Sequence, residues 1–184
     1  MKQEMVRVAP VALLPTPSGC AVFLGDNSGD NSGDNSGDSF GDKIILIYID
    51  PSIGASINMA LQQEKAPRPL THDLFHGVLG AFGAEVTQVV IVKADGDVFF
   101  ARLFLQVENE LQQKKIVELD ARPSDCIALA VRDSAPIYVL ENVWSELNDV
   151  SGLLEDMKSS QSDSGDDDDL GFDDDFEDDD DIPF

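Results

Sequence analysis

Apolar positions along the chain come in two spacings, and these divide it into strands and helices. Met5 to Leu14 reads as a first strand, broken or edged at Pro10, and Gly19 to Leu24 as a second that pairs with it as a hairpin. Lys43 to Ile49 is apolar at nearly every position, which predicts a central strand covered on both faces. Pro51 and Ser52 open a helix to about Lys65, with Ile53, Ile57, Ala60 and Leu61 at helical spacing. Thr71 is the expected cap of a second helix whose buried stripe is Leu74, Phe75, Val78, Leu79 and Phe82, closed by Gly83. Glu85 to Lys93 and Val98 to Val107 are strands around the turn Ala94-Asp95-Gly96-Asp97. Asn109 to Gln113 turns the chain into a strand from Lys114 to Leu119. Pro123 opens a buried helix through Ile127, Ala128, Leu129, Ala130 and Val131; Ala135 to Leu140 is the last strand. A short amphipathic helix, Glu141 to Leu147, turns Val143, Trp144 and Leu147 inward. Strands joined by hairpins outnumber helices. The fold class is therefore α+β: a single domain with a mostly antiparallel sheet and three main helices, followed by a disordered acidic tail.

Charge separates the chain into parts. Its net charge is −24 over 184 residues, but 13 acids and no base follow Ser159, and five Asp lie between Gly25 and Asp42, leaving −6 for the rest. That excludes the broad basic face of a general electrostatic DNA binder, so any nucleic-acid contact rests on a few local Arg and Lys. Between residues 25 and 42, Gly-Asp-Asn-Ser repeats three times with no apolar anchor, which predicts a flexible insertion rather than a calcium-binding repeat. The division is thus a domain over residues 1–150, containing that insertion, and a tail over 151–184. Cys20 and Cys126 are too few for a disulfide framework, and Cys126 falls on an apolar helix as a small core residue. No apolar run has the length of a membrane span, and Val8 to Leu14 lacks the pattern of an export signal, so the expected location is cytoplasmic.

One corner concentrates chemistry. The strand ending at Leu119 runs into Asp120, Arg122, Pro123, Ser124 and Asp125, so two acids and a guanidinium meet a helix N-terminus, whose dipole and free N–H groups attract anions. The same residues would also serve as a plain salt-bridged corner, with Arg122 on Asp120 or Asp125 and Arg68 on Asp73.

Several segments in order, Arg68-Pro69-Leu70-Thr71-His72-Asp73-Leu74, Asp120-Ala121-Arg122-Pro123-Ser124-Asp125, Ala128-Leu129-Ala130-Val131-Arg132 and Pro136-Ile137-Tyr138-Val139, resemble the bifunctional nuclease domain family. The resemblance spans about Val6 to Leu147 outside the insertion. It implies a compact, often oligomeric α+β domain, some plant members of which degrade both DNA and RNA. Family members usually carry Gly and then a Glu-Ala pair after the central strand; here those places hold Asp50 and Ile53-Gly54. Phosphodiester hydrolysis needs an activated water, stabilisation of phosphate charge and help for the leaving group. The candidates are Asp120 and Asp125 as ligands of a divalent metal (Mg or Mn), Arg68 and Arg122 as phosphate contacts, and His72 and Asp73 for proton transfer. His72 and His76 are one helical turn apart, but no third zinc ligand is placed by the sequence.

The last residues, Asp178-Asp179-Asp180-Asp181-Ile182-Pro183-Phe184, resemble the acidic tip of bacterial single-stranded DNA-binding protein, although nothing upstream resembles that protein's barrel. The likeness implies docking to DNA replication and repair proteins: helicases, recombination mediators, primase and exonucleases. Phe184 presents a ring beside a free carboxylate, Pro183 limits the chain's freedom, Ile182 adds an apolar contact, and the aspartates speed encounter with a basic surface. A solubilising tail would not need those three terminal residues. Two functions follow: a nuclease-family domain acting on DNA and/or RNA and led to its partners by the tail, or a non-enzymatic homo-oligomeric adaptor that presents several tails at once.

Overall fold

The computed structural model describes residues 4–27, 43–108 and 113–162. The elements in order are β1 (Met5–Thr16), β2 (Gly19–Asp26), β3 (Ile44–Ile49), α1 (Pro51–Leu61), α2 (Thr71–Ala81), β4 (Ala84–Asp95), β5 (Val98–Glu108), β6 (Lys114–Ala121), α3 (Pro123–Asp133), β7 (Ile137–Leu140), α4 (Glu141–Glu146) and α5 (Ser151–Ser162). The strands form one seven-stranded sheet in the order β3-β2-β1-β7-β4-β5-β6. Among these strands only the β4–β7 pairing is parallel; the others are antiparallel, which makes the domain α+β as expected.

Alternation along the strands divides the side chains between two faces. Cys20, Val22 and Leu24 of β2, with Ile45, Ile47 and Ile49 of β3, Val89 and Ile91 of β4, and Leu103 and Leu105 of β5, join the main core with α1 and α3. Ala21 and Phe23 point the other way, where Leu14 and Leu154 of α5 form a second, smaller core. The close approach of α1 to β2 requires a glycine. A Cβ on Gly54 would lie 2.6 Å from Cys20 Sγ and 2.7 Å from Cys20 Cβ, so the helix or the strand would have to shift.

The structure corrects several expectations. Lys43–Ile49 is not central: β3 is an edge strand, and its apolar residues are covered by α1 on one face and α5 on the other. Among the described residues there are five helices: the three main ones and the short one expected from the sequence, together with α5, which residues 151–162 form. Leu154 anchors α5 on the sheet, with Val150 and Met157 partly buried beside it; the spaced apolar residues of that segment were masked by the acidic run beyond. The stripe expected to be buried on α2 is mostly outward. Leu74, Phe75, Val78 and Phe82 are exposed and only Leu79 is buried. The insertion from Ser28 to Asp42 and the terminal residues from Asp163 lie outside the described residues.

Candidate functional site

α1 and α3 begin alike: a strand ends, one polar residue follows, then Pro-Ser opens the helix (Asp50-Pro51-Ser52 and Arg122-Pro123-Ser124). Asp50 and Arg122 hold extended backbone before their prolines, as the proline ring demands. The two helices pack side by side, tied by Arg132 of α3 to Ser56 of α1, and their first residues line one open cleft of about 510 Å³. Ser18, Tyr48, Asp97, Val98 and Phe99 complete its wall.

The α1 terminus is capped: Asp50 Oδ1 accepts the Ser52 N–H at 2.8 Å and also its hydroxyl. Those bonds hold the Asp50 carboxyl below its ordinary range. The α3 terminus has no side-chain cap, so Ser124 and Asp125 begin the helix with N–H groups that have no intrahelical partner. The Arg122 side chain, 72% exposed, reaches instead to Asp125, with Nε donating to Oδ2 at 2.8 Å and one terminal nitrogen to Oδ1 at 3.3 Å. That bond and the Asp125 charge raise the guanidinium pKa, with a smaller contribution from Asp50. With its proton on Nε2, His72 donates to the same Asp125 Oδ1 at 3.1 Å. Partial burial pushes the Asp125 carboxyl up, but the bonds and charges of Arg122 and His72 outweigh it and leave the pKa lowered. Asp125 thereby stays charged and holds the guanidinium of Arg122, a residue that lines the cleft.

Of the expected residues, His72, Arg122 and Asp125 come together. Asp73 is elsewhere. Its Oδ2 accepts the Leu70 N–H at 2.9 Å, which caps α2 in place of Thr71, and its Oδ1 accepts from Arg132 Nε at 2.7 Å, so Arg132 takes the place expected of Arg68. Arg68 is exposed in the loop before α2. Asp120 is on the far side of the sheet. Val117 and Ala121 pack on the main core, so Glu118 and Asp120 face the opposite way, into an open groove with Arg102, Phe100 and Phe104.

The metal expected between Asp120 and Asp125 does not fit this arrangement, because the two carboxylates line different faces of the sheet. Among the described residues no three His, Cys, Asp or Glu side chains gather as ligands. His76 is paired with Asp133 at 2.5 Å rather than aligned with His72 around a common point. Ile53, where the resembling family carries glutamate, lines the cleft with a buried apolar side chain and supplies no carboxylate. Cys126, next to Asp125, is fully buried; burial first, then Asp125 and Asp120, push its thiol up to about 12, so it is no nucleophile at neutral pH.

Tyr48, Asp97 and Phe99 were not picked out from the sequence. The repeated strand–polar–Pro-Ser pattern at residues 50–52 and 122–124 is the signal that would have placed two helix starts, with the end of β3 and the start of β5 beside them, at one site.

Acid should weaken this arrangement in a defined sense. The Asp125 pKa is lower in the folded chain, so its contribution to stability is complete above the unfolded value near 3.9 and is lost as pH falls through the folded one. Thermal melts between neutral pH and pH 3 should show the wild type losing its advantage over Asp125→Asn below about pH 4. A gap that stays constant across that range would mean that the charge of Asp125 contributes nothing.

The sequence profile of the bifunctional nuclease domain matches residues 37–150. The chain belongs to that family. An uncharacterized protein of Mycobacterium tuberculosis is 36% identical over 108 residues, 59% of this chain and 58% of its own length. Bifunctional nuclease 1 of Oryza sativa subsp. japonica is 31% identical over 96 residues, covering 52% of this chain and 28% of the plant protein. Bifunctional nuclease 1 of Arabidopsis thaliana is 31% identical over 101 residues, or 55% and 30%. The chain therefore spans less than two thirds of each of these relatives. Among the described residues no helix is long and apolar enough to cross a membrane.

Proposed function

We propose that this bifunctional nuclease domain is a cytoplasmic enzyme that binds and cleaves single-stranded DNA or RNA at the cleft between α1 and α3. The observation that carries this reading is Arg122, held by Asp125 and His72 and exposed beside the uncapped start of α3. A guanidinium and free helix N–H groups are what a phosphodiester oxygen requires, and they also stabilise the charge that builds on phosphate during cleavage. Tyr48, 60% exposed, and Phe99 line the same cleft and offer aromatic surface on which unpaired bases stack. Asp125 orients Arg122. His72, with only 13% of its side chain exposed, holds Asp125 in turn.

A direct assay uses single-stranded DNA and RNA with the intact chain. Asp125→Asn should lose most cleavage, whereas Asp120→Ala on the far face should keep it. Equal loss in both variants would remove the cleft assignment. No cleavage of either substrate by the intact chain would favour the adaptor reading, which draws support from Asp125 and Asp73: both are committed to ion pairs, and both pKa values are lowered, so they are weak proton acceptors at neutral pH.

The acidic tail, in this proposal, brings the domain to DNA replication and repair proteins through Asp179, Asp180, Asp181, Ile182, Pro183 and Phe184, all outside the described residues. Its support is the Ile-Pro-Phe that follows a run of aspartates. A peptide of the last ten residues should bind a helicase that recognises the single-stranded DNA-binding protein tip, and removing Phe184 should abolish that binding.

A further inference from the structure

Polar atoms at both helix starts of the cleft are left without a partner. At the start of α3 it is the Ser124 hydroxyl. Ser124 is only 7% exposed, yet among the described residues its hydroxyl bonds nothing. Its oxygen is not sealed from solvent either, a condition met only by Thr16 Oγ1 among unpartnered side-chain atoms there, so it opens on the cleft that Ser124 lines. It joins Arg122 and the free N–H groups of Ser124 and Asp125 as a further donor to one phosphate. At the start of α1 it is Asp50 Oδ2. Both bonds from Ser52, by its N–H and its hydroxyl, end on Oδ1, so the carboxylate is held while Oδ2 accepts nothing. Capping α1 needs one oxygen, which a serine would supply as well. Asp50 and Arg122 feel each other's charge but form no ion pair, which leaves room for a ligand group between them. Asp97, on the same wall, belongs to the β4–β5 turn and has no such tether.

We propose that Asp50 reads the ribose 2′-hydroxyl of a strand whose phosphate is held by Arg122, Ser124 and the start of α3, so that the cleft selects RNA over DNA. This rests on the cleft being the nucleic-acid site. The groups on its wall divide a ribonucleotide between them. The phosphate needs donors, and the base needs an aromatic surface, which Tyr48 and Phe99 give. The 2′-hydroxyl sits on the carbon next to the one that bears the 3′-phosphate, and it needs an acceptor, which the free carboxylate oxygen supplies. A carboxylate beside a phosphate site otherwise repels its ligand. With DNA, Oδ2 faces a methylene and that repulsion goes uncompensated. One side chain thus favours RNA and disfavours DNA.

The test is binding of the full chain to labelled single-stranded RNA, to the same sequence as DNA, and to the same sequence as 2′-O-methyl RNA, with gels to confirm that the strands stay intact. Wild type should bind RNA about tenfold more tightly than either of the others, the effect of one charge-assisted hydrogen bond at an exposed site. Asp50→Ser keeps a cap on α1 and should bring RNA and DNA to equal affinity, by weakening the first and not the second. Ser124→Ala and Arg122→Ala should each weaken RNA and DNA by the same factor. If neither changes any affinity, nucleic acid is not bound at the cleft and both readings fall. If they weaken both strands, but wild type holds RNA and DNA alike or Asp50→Ser keeps the preference, the cleft stands and the role of Asp50 is overturned. The 2′-O-methyl strand needs no variant, so it decides the matter even where Asp50→Ser fails to fold: affinity equal to that of RNA overturns the proposal.

Discussion

Arg132→Ala is expected to lower the stability of the domain by about 2–4 kcal/mol, the result of leaving buried acceptors of Ser56 unsatisfied and a partly exposed carboxylate unpaired. Only 8% of the Arg132 side chain is exposed, and four acceptors depend on it. Nε donates to Asp73 Oδ1 at 2.7 Å, one terminal nitrogen to the Ala128 carbonyl at 2.7 Å, and the other to Ser56 Oγ at 2.8 Å and the Ser56 carbonyl at 3.4 Å. One side chain therefore ties α1, α2 and α3 into a single layer. Ser56 is 3% exposed, so its hydroxyl would be left without water or a partner, whereas Asp73, 38% exposed, can rehydrate in part. The melting temperature should fall by roughly 10 °C for a chain of this size. Asp73→Ala alone should cost less, and Arg132→Ala with Asp73→Ala less than the two added, because they share one interaction. A melting temperature within about two or three degrees of wild type would show that the layer is held by its apolar packing alone.

The same residue shows where sequence reading stops. Its helix, its place near the C-terminal end and its compensation of the helix dipole follow from local pattern. Its partners do not, because Ser56 and Asp73 are brought to it by the packing of two other helices. Strand alternation made most of the sheet legible, and the hairpins β1–β2 and β4–β5 follow from it directly. The position of β3 at the edge was not legible, since a helix on each face produces the same apolar run as burial at the centre. On α2 periodicity identified the helix but not which side faces inward. An apolar stripe normally faces the core, and here three polar anchors, each paired with a distant residue of α3, decide otherwise. At the candidate site, sequence neighbours suggested a pair, Asp120 and Asp125, that the strand-to-helix junction directs to opposite faces. The residues that do meet, His72 and Asp125, are 53 positions apart.

For the cleft, Arg122→Ala is expected to reduce cleavage of single-stranded nucleic acid by about 10²–10³-fold, the effect of removing one strong donor from a site of developing phosphate charge. The side chain is 72% exposed, so the fold should melt as the wild type does, and a fall in activity cannot be assigned to unfolding. Arg122→Lys should restore only part of the activity: the ammonium keeps the charge but cannot bond Asp125 and a phosphate oxygen in the planar geometry of the guanidinium. Binding should also become less sensitive to salt, with the slope of log K against log salt shallower by about 0.7, the value of one phosphate neutralised on a single strand. Arg102→Ala is the matched control. Arg102 is another exposed arginine in an ion pair, with Glu118, but it faces the open groove on the other side of the sheet and its loss should leave cleavage unchanged. If Arg122→Ala cuts as well as the wild type while Arg102→Ala does not, the phosphate lies against β4, β5 and β6, and the cleft between the two helix starts is a salt-bridged corner.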